Sequence, residues 1–189
     1  ERALNAIYPG GFKHYEQSLR VVDILERDGR GLNLCYETRM GILHHTHGQD
    51  GDSPEAVAVR LCDRIAYINH DLDDSIRAGI IKTEEVPAFI RENCGERNSE
   101  RINSLLTDLI ENSAGGKLQM SPKMQEVFDF FHSYMYSDVY TNPLAKGEES
   151  KAVLMLEQMY HYLCAHPELL PGEHEGTAGS EGVERAVCD

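Results

Sequence analysis

The sequence predicts an all-α fold, and three observations predict it. Apolar residues recur three and four positions apart through most of the chain, as one face of a 3.6-residue period requires. No stretch alternates apolar and polar residues with period two. Two segments open on the same Ser-Pro pair, at Ser53-Pro54 and Ser121-Pro122. There a serine hydroxyl can accept from the first free N–H groups of a helix, and proline's fixed φ suits the first helical position.

The elements follow in order. "GFKHYEQSLRVVDILERDGRG" places Leu19, Val22 and Leu25 at helical spacing and stops at Gly29 and Gly31. "LCYETRMGILHHTHGQDGD" predicts a helix with Tyr36, Met40 and Leu43 on one stripe and a glycine-rich exit. "SPEAVAVRLCDRIAYINHDLDDSIRAGI" predicts one of the longest helices, over 53–79 and packed centrally, with Ser53 as cap, Pro54 at the first position and Glu55 in the first turn. "TEEVPAFIRENCGERN" is helical in its second half, and "SERINSLLTDLIENSAGG" is an amphipathic helix closed by glycines. "SPKMQEVFDFFHSYMYSDVY" is helical, its Met-, Tyr- and Phe-rich run over 124–136 reading as core. "EESKAVLMLEQMYHYLCAHPELLPG" is a further helix ending before Pro167. The tail loses its periodicity and starts a new apolar pattern at Val183.

Composition excludes several functions. A chain of 189 residues buries a core without disulfide help. Its net charge of −14 argues against a primary nucleic-acid binder, which needs clustered Lys and Arg. Cys35, Cys62, Cys94, Cys164 and Cys188 are widely spaced with no CxxC pair, and read as free thiols of a reducing compartment; a cytoplasmic location is expected. No segment is long and apolar enough for a membrane helix.

The helix over 53–79 carries the chemistry. At about 100° per residue, Val57, Leu61, Ile65, Ile68, Leu72 and Ile76 form one stripe. Asp63, Tyr67, His70, Asp71 and Asp74 form a second, roughly opposite, with Arg60 and Arg64 beside it. A solvated face is the plain explanation of such a stripe. Against it stand Ala58, Cys62 and Ala66, which widen the apolar region, and Tyr67, a poor choice for a wet face. Clustered carboxylates repel unless a cation or donor sits among them, and hard divalent metals are held by such groups. A neighbouring arginine supplies a fork for phosphate oxygens. A second candidate lies in "FKHYEQS", where His14, Glu16 and Gln17 gather base, acid and amide in one turn. The cluster of His44, His45 and His47 reads as donors and cations at a helix C-terminus.

Together, "GFKHYEQSLRVV", "GLNLCYETRMGILHHT", "DRIAYINHDLDDSIRAGI" and "ERAVCD" resemble the deoxyguanosinetriphosphate triphosphohydrolase family of the HD superfamily. The motifs stand in the family's order, and the resemblance is weakest over 84–116. It implies an HD-domain-like helical fold, with residues 1–82 the C-terminal part of the HD phosphohydrolase core and 83–189 a helical region packed on it. It implies hydrolysis of a deoxynucleoside triphosphate to deoxynucleoside and inorganic triphosphate with a divalent metal ion such as Mg or Mn. Asp63 matches the family's last metal ligand. Arg64 is implied to face the substrate phosphates, Tyr67 the deoxyribose, and Asp71 the sugar 3′-hydroxyl. His14 and Glu16 match the acid–base turn near the scissile phosphate.

The family's first His and its His-Asp doublet lie upstream of the segment that "ERALNAI" resembles, and the one doublet here, His70-Asp71, lies on another helix. The expectation is therefore a piece of a longer enzyme, cut at both ends, with one metal carboxylate and little activity alone. Leu4, Ile7 and Val187 should then be poorly covered, and His14 and Glu16 should share a cleft with Asp63, Tyr67 and Asp71. A homo-oligomer is implied by analogy. Two other readings stay open: another HD-type phosphohydrolase acting on a nucleoside monophosphate or cyclic nucleotide, and a non-catalytic helical interaction module.

Overall fold

Eleven α-helices follow one another along residues 1–189 of the computed structural model, with short 3-10 and π-helical turns and no strand. The lone β-bridge, Ala114 with Lys117, closes a turn. The all-α expectation is met. The chain divides into two compact units, Glu1–His47 with Glu149–Asp189, and Gly48–Glu148.

The second unit is built on α5 (Pro54–Arg77), the 24-residue helix predicted from its cap. Ser53 sits in extended backbone, its side chain accepts from the N–H of Ala56, and Pro54 opens the first turn. The predicted apolar stripe is the buried one at its centre, where Ile65, Ile68 and Leu72 are almost wholly covered. They pack with Ile90 and Cys94 of α6 (Ala88–Cys94), Leu105 and Leu109 of α7 (Asn98–Asn112), and Val127, Phe128 and Phe131 of α8 (Pro122–Tyr134). The run read as core is core, apart from Phe130 and Tyr136, which are exposed. Helix α8 opens on a doubled cap. Ser121 accepts from the Met124 N–H, while its own N–H and hydroxyl donate to Asp108 at 2.7 and 2.6 Å.

Helix α8 does not end at Tyr134. It widens into a π-helical turn, Met135–Tyr140, that keeps Met135 and Val139 in the core and sets Tyr140 against α5. Beside the apolar stripe, α5 also buries polar groups. Asn69 is fully buried, and so is Arg101 of α7, whose guanidinium donates to Asn69 Oδ1 at 3.0 Å, to the Glu96 carbonyl at 2.6 Å and to Asp73 Oδ1 at 2.7 Å. Taking an arginine out of water is tolerated because each edge of its fork finds an acceptor.

The first unit contains α1 (Arg2–Ile7), α2 (His14–Arg20), the single irregular turn α3 (Glu26–Gly29), α4 (Tyr36–Leu43), most of α9 (Pro143–Ala165), α10 (Glu175–Glu181) and α11 (Val183–Cys188). The helix expected to run from His14 to Gly29 is interrupted. A π-helical turn takes over at Val21–Leu25, and Arg27 and Asp28 adopt left-handed backbone. The chain then doubles back, the Leu32 N–H donating to the Val22 carbonyl at 2.7 Å. Gly31 permits this: a Cβ there would stand 2.2 Å from the Asp23 carbonyl oxygen, at a φ of +65°.

In α4 the expected stripe is only partly right. Tyr36 is exposed, and the helix is tied down instead by Arg39, which pairs in a fork with Asp23 at 2.7 and 2.6 Å. The tail holds more helix than its composition showed, since α10 forms where no periodicity was visible. Leu4, Ile7 and Val187, expected to be poorly covered, are half-buried beside the buried Ala3 and Ala186. All five cysteines are free thiols, and burial pushes those of Cys94 and Cys188 up to about 11. No helix is long and apolar enough to cross a membrane.

Candidate active site

The candidate residues fall into two groups, one in each unit. In the first unit His14 begins α2, where the extended backbone of Lys13 turns into the helix. Both of its ring nitrogens are engaged. Nδ1 lies 2.8 Å from Glu1 Oε2, and Nε2 lies 2.9 Å from the Thr46 hydroxyl. The His45 ring meets it edge-on, with centroids 5.2 Å apart, and is itself fixed by a 2.6 Å contact from Nδ1 to the Ile42 carbonyl. That second contact is the helix-terminal role read for the histidine cluster. The bond from His14 holds the Glu1 carboxyl below the usual range.

Glu16 does not join this cluster. It is exposed, pairs with Lys13 at 3.1 Å, and lines a cleft of about 220 Å³ with Gln17, Arg20 and Arg185. The cations of that cleft are already satisfied by carboxylates. Asp189, its side chain fully covered, takes bonds from Arg20, Arg185 and Gln17, which together hold its carboxyl below the usual range despite its burial.

In the second unit, α5 presents Asp63, Arg64, Tyr67 and Asp71 over successive turns. Asp63 is exposed. The Arg64 guanidinium lies 5.6 Å from the centre of the Phe128 ring, a cation–π contact, and the residue is half-buried. Tyr67 is half-buried against the core. Asp71, four residues on, accepts a 2.5 Å bond from the Tyr140 hydroxyl. Burial pushes the Tyr140 phenol well above its usual range, and the charge of Asp71 adds to this. No three His, Cys, Asp or Glu side chains are arranged to hold a metal ion. Asp63 can therefore supply one carboxylate ligand and not a centre.

Three residues of these groups escaped the sequence reading. Glu1 and Thr46 are distant in sequence from His14, and ordinary in type. Tyr140 reaches Asp71 through a π-helical turn that leaves no periodic signature.

Comparison with known proteins agrees with the motifs. Residues 118–189 match the family described as Phosphohydrolase-associated domain. The whole chain aligns at 39% identity with a deoxyguanosinetriphosphate triphosphohydrolase-like protein of Caldanaerobacter subterraneus subsp. tengcongensis, covering 56% of that protein. It aligns at 36% identity, again over its whole length, with the protein of the same description from Clostridium perfringens, covering 58% of it. The resemblance to the deoxyguanosinetriphosphate triphosphohydrolase family holds along the entire chain. The chain spans a little over half the length of these curated relatives.

Proposed function

We propose that this chain forms part of a metal-dependent triphosphohydrolase that converts a deoxynucleoside triphosphate, dGTP or one like it, to deoxynucleoside and intact inorganic triphosphate. The observation that carries this reading is α5. It sets an exposed carboxylate, an arginine, a half-buried tyrosine and a second carboxylate along one helix, in a chain aligned end to end with proteins of that description. The match of residues 118–189 to a phosphohydrolase-associated domain supports the same class and fits a helical C-terminal region accompanying a core over 1–82.

In this reading a divalent ion, with Asp63 as one of its ligands, supplies charge to stabilise the phosphate oxygens. The Arg64 guanidinium offsets the charge of the triphosphate. Tyr67 packs on the deoxyribose, and Asp71 accepts from its 3′-hydroxyl. Water oxygen adds to the α-phosphorus, the bond from that phosphorus to the 5′-oxygen breaks, and the 5′-oxygen leaves with a proton. His14 is the proton-handling group, and the contacts above give it Glu1 as its carboxylate partner, with Glu16 beside it in sequence. A carboxylate on Nδ1 fixes the tautomer and leaves Nε2, which meets the Thr46 hydroxyl, as the nitrogen that exchanges a proton.

The test is product analysis. The protein expressed from its complete reading frame, incubated with dGTP and Mg or Mn, should release deoxyguanosine and intact triphosphate, separable by anion exchange. Release of orthophosphate or pyrophosphate instead would overturn the reaction.

A further inference from the structure

The phenol of Tyr140 has no role in the reaction as proposed, yet it bonds the carboxylate of a residue assigned to the sugar. Its hydroxyl donates to Asp71 Oδ2 at 2.5 Å. Its ring packs against the core beside Tyr67, close enough for Tyr67 to add to the rise in the Tyr140 pKa. The bond depends on the π-helical turn Met135–Tyr140. Its wider winding buries Met135 and Val139, and Tyr140, the last residue of the turn, is left against α5. Turns of this kind inside helices commonly sit at functional sites because they re-aim a side chain without ending the helix.

We infer that Tyr140 is a positioning residue for Asp71: by occupying one carboxylate oxygen it orients the other, Oδ1, as the acceptor for a ligand hydroxyl on the α5 face. A carboxylate on a helix surface otherwise rotates freely about its last bond, and that freedom is lost on binding at a cost. Tyr140 removes the freedom beforehand. Its neutral phenol can only donate to an anionic acceptor, so the bond sets direction without adding charge to a face that must admit a triphosphate. The hydroxyl chemistry this arrangement recognises is the 3′-hydroxyl of a deoxyribose, and the inference rests on the function proposed above.

Tyr140→Phe is the deciding variant, because it keeps the ring that fills the core and removes only the donor. The protein from its complete reading frame is assayed for triphosphate release from dGTP and from 2′,3′-dideoxyguanosine triphosphate, which lacks the hydroxyl. Wild type should prefer dGTP. Tyr140→Phe should raise KM for dGTP about tenfold, as expected for a lost bond to a charged group, with the smaller part of the loss in kcat. It should leave the dideoxy substrate little changed. In the Asp71→Asn background, Tyr140→Phe should add almost nothing, since the two act as one unit. An unchanged preference for dGTP in Tyr140→Phe, or additive losses in the double variant, overturns the inference while leaving the function standing. Equal handling of both substrates by wild type overturns the sugar assignment of Asp71 and this inference with it. Failure of wild type to release triphosphate from either overturns the function, and the inference falls with it.

Discussion

At the scale of single residues, the polar interior of the second unit hangs on Arg101. Its three bonds reach a buried amide, a carbonyl and a carboxylate. Arg101→Met fills similar volume but leaves Asn69 Oδ1 and the Glu96 carbonyl without donors. It should cost about 3 kcal/mol of stability, read as a lower denaturation midpoint in urea, because the unpaired amide of the buried Asn69 keeps its full desolvation penalty. Asn69 and Arg101 were not legible as partners, being 32 residues apart with nothing in either segment to announce the other. His14 poses the same difficulty in the first unit. The motif around it was visible, while the side chains that fix its ring, Glu1 and Thr46, were not. If His14 handles the proton, His14→Ala should lower kcat by about 10²–10³, the usual weight of one acid–base group. Thr46→Val, which removes one of its two ring contacts, should cost about tenfold on the same scale. Equal, small losses in both variants would mark the cluster as structural.

The elements were legible where the signal is local. The Ser-Pro starts of α5 and α8 are real caps because a serine hydroxyl needs only its own next turn to be satisfied. The π-helical turns at Val21–Leu25 and Met135–Tyr140 were not legible, because one extra residue per turn is decided by what the flanking helices pack against. Helix α7 shows how much a cap can depend on charge. Glu100 accepts from the backbone N–H groups of Glu96 and Arg97 and pairs with the Arg97 guanidinium, which holds its carboxyl down at about 2. With the folded value below the unfolded one, the stabilisation is complete above the ordinary glutamate range near 4.5 and disappears as pH falls toward 2. Thermal melts of wild type and Glu100→Gln should therefore differ at pH 7 by a gap that holds down to about pH 5 and narrows steadily below it. A gap independent of pH would mean that the ionisation of Glu100 contributes nothing and that the variant loses only hydrogen-bond geometry.

For the whole molecule, the all-α class followed from periodicity, and the family resemblance rested on four motifs in order. What the sequence could not supply was the internal economy of each unit, since pairings such as Arg20 with Asp189 join residues 169 apart. The candidate site was legible as a helix face but not as contacts. Spacing shows which side chains share a face, and only packing shows that Asp71 is already held while Asp63 stands open. That difference separates their expected kinetic signatures in the protein expressed from its complete reading frame. Asp63→Ala removes a proposed ligand of the divalent ion, so turnover should fall to background at every substrate concentration, and dGTP binding in the absence of metal should be little altered. Tyr67→Ala removes the proposed sugar contact, made before and during reaction, so the loss should appear chiefly in KM, about tenfold or more for an aromatic face. Under the proposed function, the two variants should thus divide the α5 face into a part that acts on the phosphates and a part that holds the sugar. Metal-independent turnover that survives Asp63→Ala, or a Tyr67→Ala defect confined to kcat, would show that the face is not divided in that way.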